Sequence, residues 1–393
     1  MYGTDTKRKQ SFADSGYGVL YNSRRTSKKS SKSFKKERTG RRIPIFLLFL
    51  LILITALSFS YIIQALIHGR ETVDKGLKNI GEKNPQPVAE ERGAIGIGLF
   101  RETSGRLSGK TILLDPGHGG SDVGAIYPLG TEYPEYVEKV PVLQISEQVK
   151  KSLEEEGANV ILLREDDSFV GLYKRAALTH LFCLDYAEQN ALGAIPRETA
   201  DSLRKSLETT VKINEDSLQS NINCMGMMAG TGAGKELSGL LDLERGIQDV
   251  LFISIHINSN LDSSLHGTGV YYVTDESIAQ STTEANPDPE YTQYSTYAVR
   301  DPYYGRNGEK SSLLAQSIYD AITGRVPALT TNGHETIADN FAVLREQNLP
   351  GVMVETGYLT NDDDRRLLLQ SSTWEKIGDG ITEGCIRYFS EMD

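Results

Sequence analysis

The chain has 393 residues, enough for one large or two ordinary domains with a proper core. Its formal charge is −11, yet residues 1–42 carry a net +10, which leaves −21 on everything after them. That acidic body argues against nucleic acid as its partner, and three scattered cysteines (Cys183, Cys224, Cys385) provide neither a disulfide framework nor a CxxC metal knuckle.

Residues 1–42 hold thirteen Lys and Arg against Asp5, Asp14 and Glu37. Directly after them comes "IPIFLLFLLILITALSFSYIIQALI", residues 43–67, twenty-five residues without a charge. A helix of that length spans a bilayer, whereas a buried core helix so long would carry a polar face. The positive-inside bias predicts residues 1–42 as a cytoplasmic arm, 43–67 as one transmembrane signal-anchor helix, and the remainder as extracytoplasmic. A cleaved signal peptide fits less well, because the arm is too long for an n-region and no A-x-A site follows. Beside a membrane helix, the arm sets topology and meets anionic lipid.

Residues 68–107 mix Gly, Pro and charge without periodicity and read as an extracytoplasmic linker. From there to residue 393 the pattern alternates strands with helices. "TILLD" is an apolar strand running into a glycine-rich loop, "PGHGGSDVGA". Val142, Ile145, Val149 and Leu153 recur at helical spacing over 140–157, and Gly157 ends that helix as a C-cap. Further strands are expected at 158–166, 250–259, 267–274 and 351–359. The closing helix buries Ile377, Ile381, Cys385, Ile386 and Phe389. This order predicts an α/β fold: a single open, mostly parallel sheet with helices on both faces, preceded by the transmembrane helix.

Two stretches interrupt the rhythm. An insertion at about 179–246 has a polar middle and a Met/Gly-rich patch, and 275–312 reads as a long surface loop. "GTGAGK" in the insertion is not a phosphate loop: the gap before GK is too short, and Glu236 stands where a magnesium-binding hydroxyl belongs. His180 and Cys183 form an isolated HxxC pair, which is the pattern of a satisfied histidine beside a buried cysteine rather than of a metal site.

Three predicted strands end in chemistry: the first runs into His118, the third into His256 of "SIHINS", the last into Glu355 of "MVETG". Singly, these read as a turn residue, a core histidine and a strand-end ion pair. Together they sit at equivalent positions, beyond the carboxyl ends of strands, where open α/β sheets build their sites. Two imidazoles with one carboxylate make a catalytic zinc set with a position left for water. Glu132, Glu135 and Glu138 follow the glycine loop, and Glu138, at the start of the next helix, is best placed for a rigid pose. Glu355 is then the acid–base group.

The blocks "ILLDPGHGGSDVGA", "EKVPVLQIS", "GLYKRAAL", "FISIHINS", "FAVLREQNLPGVMVETGYLTNDDD" and "IGDGITEGCIRYF" resemble, in this order, the type 3 zinc-dependent N-acetylmuramoyl-L-alanine amidases. The resemblance runs from about 110 to 390. It implies a peptidoglycan hydrolase that cuts between muramic acid and the stem peptide, with Zn2+ on His118, Glu138 and His256 and with Glu355 as the catalytic residue. Arg164 and Asp167 match the family's TRxxD element, with Leu163 replacing the threonine. Asn258 and Asn361 match two further positions. Twenty positions separate His118 from Glu138, longer than the pattern, so Glu135 stays open as the ligand. The implied location is the cell membrane, with the catalytic domain at 108–393 facing the cell wall.

The insertion is a surface excursion or, on a sharper reading, a lid over the zinc or a docking site for an activating protein. A catalytically inactive or autoinhibited wall-binding regulator on the same fold is the alternative from another class. A peptidase or sugar deacetylase would share the metal logic, but the sequence has no HExxH helix.

Overall fold

The computed structural model of the chain describes residues 104–193, 195–214, 235–284, 303–331 and 333–392. The arm at 1–42, the apolar stretch at 43–67 and most of the linker lie outside the described residues, as do Cys224 and the glycine run of the insertion. Among the described residues no helix is long and apolar enough to cross a membrane.

A six-stranded sheet organises the fold, in the order β4-β1-β5-β8-β6-β7. Its strands are β1 (Thr111–Pro116), β4 (Asn159–Leu162), β5 (Val250–Asn258), β6 (Gly269–Tyr272), β7 (Thr336–Ala338) and β8 (Gly351–Tyr358). All neighbours run parallel except β6 and β8, which are antiparallel. The central strands read as continuous apolar runs because both faces are covered.

Side chains alternate across the sheet. Ile112, Leu114, Ile253, Ile255, Val352 and Val354 face three helices: α1 (Lys139–Glu155), α6 (Gly308–Arg325) and α9 (Ser371–Met392). Leu113, Phe252 and Met353 face the other way, onto α2 (Leu172–Gln189), α5 (Asp275–Glu284) and α7 (Ala342–Arg345). The apolar residues expected on α1 and α9 are all buried. Truncating a fully buried one such as Ile145 to alanine costs about 2–5 kcal/mol.

The domain begins upstream of 108. Leu107 is fully buried, and Arg106 pairs with Glu156 at 2.7 Å and Glu383 at 3.2 Å, so the last linker residues belong to the fold. The strand read over 158–166 stops at Leu162, because Arg164 turns back beneath the β1 loop. The loop read over 275–312 is helical at both ends. Thr274 and Ser277 cap α5 reciprocally: the Ser277 N–H donates to Thr274 Oγ1 at 3.0 Å, and the Thr274 N–H to Ser277 Oγ at 3.1 Å.

The insertion adds a layer on α2. Its described helices are α3 (Arg197–Ile213) and α4 (Lys235–Gly246). Leu203 and Leu207 of α3 and Leu237, Leu240 and Leu241 of α4 pack on Ala177, Leu181, Leu184 and Ala187 of α2. The boundary at 179 therefore falls inside a core helix. His180 Nδ1 meets Glu244 in the buried seam between α2 and α4, so the HxxC histidine has a structural partner. The described part of the insertion thus packs along α2 and away from that helix's first turn.

Candidate metal centre

The chain passes from β1 to β4 on one side and later to β5 on the other. The switch point of the sheet therefore lies between the carboxyl ends of β1 and β5, where such sheets bind ligands. His118 lies two residues beyond β1, and the intervening Gly117 N–H donates to the Ile255 carbonyl at 3.0 Å. His256 stands near the end of β5, in register with Glu355 on β8. Glu138 immediately precedes α1.

His118, Glu138 and His256 converge, each offering one ligand atom, with all three atoms within 4.8 Å of one another. His118 Nε2 is 3.0 Å from Glu138 Oε2, and His256 Nδ1 is 2.9 Å from Glu138 Oε1. The imidazoles meet edge to face, 4.8 Å between centroids. Two backbone N–H groups hold the Glu138 carboxylate: Ala125 donates to Oε2 at 2.7 Å and Ile257 to Oε1 at 2.9 Å. Glu135 is exposed and outside the cluster, whereas Glu138 is buried within it. The extra residues of the long gap form a hairpin of β2 (Ile126–Tyr127) and β3 (Tyr136–Val137), pinned by Arg365, whose guanidinium lies 3.5 Å from the Tyr127 ring centre.

Burial disfavours a charged His118, but the Glu138 and Asp122 carboxylates outweigh it and push its pKa up to about 10. Burial likewise opposes a charged Glu138, and the His118 charge and the hydrogen bonds from both histidines overcome it, holding that carboxyl well below its usual range. Glu355 is pushed the other way, first by burial and then by the Glu138 carboxylate. Its Oε2 is screened from solvent and has no hydrogen-bond partner in the structure.

Several supporting side chains carried no assigned role in the sequence reading. Asp122 Oδ2 lies 2.9 Å from His118 Nδ1, which leaves Nε2 to face the cluster. Arg175, in the first turn of α2, donates to the carbonyls of Val170 and Pro116 at 2.8 Å and of His118 at 2.7 Å, and pairs with buried Asp115. Asp115 in turn accepts from Ser254 Oγ at 2.7 Å. Arg164 donates to the Pro116 and Gly117 carbonyls, while Asp167 accepts from the Gly120 N–H and from Lys139. Two guanidiniums thus hold three successive carbonyls of the glycine loop, and His118 is fixed at φ +59°. Asn361 caps α8 (Asp362–Leu368).

Two imidazoles, a carboxylate and a second carboxylate beside them form a donor set for a divalent cation with an acid–base group at hand, the makings of a metallohydrolase. The chain belongs to the N-acetylmuramoyl-L-alanine amidase family, whose model matches residues 112–187 and 186–387. It is similar to N-acetylmuramoyl-L-alanine amidase AmiA of Escherichia coli K12, 24% identical over 72% of this chain and 78% of the relative. It is 25% identical to the probable cell wall amidase LytH of Staphylococcus saprophyticus, covering 72% of this chain and 60% of that one. Among solved structures it is similar to the CwlD amidase of Clostridioides difficile in complex with the GerS lipoprotein, at 22% identity and a TM-score of 0.41, over 72% of this chain and 99% of that one.

Proposed function

We propose that this chain is a peptidoglycan hydrolase that uses Zn2+ to cleave the amide between N-acetylmuramic acid and the L-alanine of the stem peptide. Convergence of His118, Glu138 and His256 beside Glu355 is the observation that carries the reading. The residues fit zinc. A tetrahedral ion with nitrogen and oxygen ligands at 2.0–2.2 Å needs donors about 3.4 Å apart; His118 Nε2 and His256 Nδ1 lie 3.0 and 2.9 Å from the Glu138 oxygens, and one ligand atom from each residue falls within 4.8 Å of the others. When bound, Zn2+ supplies Lewis-acid polarisation of a carbonyl and a more acidic water.

The chain's own residues do the rest. Asp122 keeps His118 Nδ1 occupied and its Nε2 turned to the cluster, and the Ala125 and Ile257 N–H groups fix Glu138. Glu355 takes the proton of the attacking water and delivers it to the alanine nitrogen as the C–N bond breaks and the new C–O bond forms. Its raised affinity for a proton suits it to hold one between the two transfers. The presence of all four groups at one place favours the enzyme over an inactive scaffold.

We further propose that residues 43–67 anchor the protein in the cell membrane as a single span, with the arm cytoplasmic and the domain facing the cell wall. Twenty-five uncharged residues behind a +10 arm support this. The exposed face of α3, with Glu198, Asp201, Lys205 and Glu208, is the surface this reading assigns to an activating protein.

The test uses the full chain in mild detergent with purified peptidoglycan. The parent releases stem peptides with a free L-alanine amine, chelation abolishes release, and Glu355→Gln binds zinc without releasing peptide. Release of acetate or of sugar fragments instead would assign a different hydrolase. Protease added to intact protoplasts should remove the domain and spare the arm; protection of the domain would reverse the topology.

A further inference from the structure

The chain reaches Glu138 along the β2–β3 hairpin, whose ladder is two residues long: Ile126 pairs with Val137 and Tyr127 with Tyr136. A ribbon that short does not hold its shape in water unless something packs on it. Its tip projects into solvent, with Leu129 41% and Tyr133 85% exposed, so the packing that fixes it acts at the base. The base is where the hairpin meets the metal cluster. Ala125 immediately precedes β2 and Glu138 immediately follows β3. The Glu138 N–H donates to the Ala125 carbonyl at 2.8 Å, and the Ala125 N–H donates to Glu138 Oε2 at 2.7 Å. A shift of the ribbon is therefore passed to the carboxylate that both histidines face.

Arg365 of α8 supplies that packing. Its guanidinium lies 3.5 Å from the centre of the Tyr127 ring and 6.0 Å from that of Tyr136, the pair that stands opposite across the ladder. Only 12% of the Arg365 side chain is exposed, and a cation over an aromatic face gains most where water is excluded. The guanidinium is itself fixed, since it donates to the Leu359 carbonyl at 3.0 Å and pairs with Asp362 at 2.5 Å. Leu359 in turn donates its N–H at 2.8 Å to the carbonyl of Asn258, two residues past His256 on β5. One side chain thus ties the ribbon that ends in Glu138 to the strand that carries His256.

We infer that Arg365 is a positioning residue for the metal cluster: through Tyr127 and Tyr136 it sets where Glu138 stands relative to His256. The inference rests on the reading of that cluster as a zinc site. The planar guanidinium suits the place because it stacks on a ring and donates to a carbonyl at once. A lysine ammonium keeps the charge and the donor but cannot lie flat on Tyr127.

The test measures zinc affinity of the full chain in mild detergent, by competition with a chromophoric chelator. Arg365→Met should raise the zinc Kd about tenfold, the lower end of what lost support around a metal ligand costs, at unchanged stoichiometry. Tyr127→Leu should do the same, whereas Tyr127→Phe, which keeps the ring, should stay within twofold of the parent. Combining Arg365→Met with Tyr127→Leu should weaken binding no further than the worse single variant, because both remove one contact. With Co2+ in place of Zn2+, the visible bands of Arg365→Met should shift, since they report the geometry of the ligands. An Arg365→Met Kd within twofold of the parent overturns the assignment even where Tm falls, and so do unshifted Co2+ bands or additive losses in the double variant. Should Arg365→Met not fold, Arg365→Lys is read in its place against the same outcomes. A parent that binds no zinc removes the zinc reading and this inference with it, whereas a zinc-binding parent with unimpaired variants removes Arg365 alone.

Discussion

Gly117 and His256 are packed so closely that a β-carbon on Gly117 would sit 2.3 Å from the imidazole Cε1 and 2.7 Å from Nδ1. The glycine loop after β1 makes room first for the protein's own side chains of the His118–Glu138–His256 cluster. Gly124 repeats the pattern, since a β-carbon there would lie 2.5 Å from Glu138 Oε2. Gly117→Ala should therefore displace the His256 ring and weaken zinc binding at least about tenfold, with the fold retained. Competition against a chromophoric chelator measures the affinity, and circular dichroism checks the fold. Unchanged affinity would mean that the ring has room to move without leaving the site.

Asp122 separates orientation from ligation. It touches His118 only at Nδ1, on the side away from Glu138. Asp122→Asn keeps the size of the side chain and removes its charge, and outer-shell changes of this kind cost about 10–100-fold in metal affinity. The expected outcome is a zinc Kd raised by that factor with the same stoichiometry. A Kd within twofold of the parent would reduce Asp122 to a loop-capping role through the Gly124 N–H.

Arg175 should matter more to stability than any exposed cation. It is nearly fully buried, paired with an equally buried Asp115, and donates to three backbone carbonyls. Arg175→Met strands a buried carboxylate and should destabilise the domain by about 3–5 kcal/mol. Adding Asp115→Asn should recover part of that loss, because the stranded charge is gone. Denaturant midpoints of the single and double variants give the comparison, and a single-variant loss below 1 kcal/mol would contradict the buried pair.

Features that depend on periodicity were legible in the sequence: the α1 and α9 faces, the apolar central strands and the placement of His118 and His256 near the carboxyl ends of β1 and β5, whereas Glu355, read as the end of its strand, lies inside β8 (Gly351–Tyr358). Features that depend on distant backbone were not. Glu138 was favoured for its place at the start of a helix, but what separates it from Glu135 in the structure, the N–H groups of Ala125 and Ile257, one of them 119 residues away, left no trace in the sequence. The role of Arg175 left no signal in the sequence, because two of its three carbonyl partners come from a loop 57–59 residues earlier. The capping box of α5 was readable in "TDES", yet the Ser/Thr/Pro-rich residues after it gave the whole stretch the composition of a loop.

Glu355 gives a pH dependence whose sign differs from that of a paired surface carboxylate. Burial and the Glu138 charge raise its folded-state pKa above the ordinary glutamate value. A group raised in this way favours folding while it is protonated, and that contribution is lost as pH rises from the ordinary glutamate range through the raised value. Glu355→Gln has no such charge to bury. In excess chelator the variant should match the parent near pH 4 and exceed it at pH 8 by at least about 1 kcal/mol, the lower end of what a buried, unpartnered polar group costs. Urea unfolding of both proteins across that range reads the difference directly, and parallel curves would show that Glu355 is not desolvated. Restoring Zn2+ at pH 8 should narrow the gap, because a cation on the neighbouring Glu138 cluster favours the charged form of Glu355. The carboxylate that destabilises the metal-free domain is thus the one that the loaded site holds ready to accept a proton.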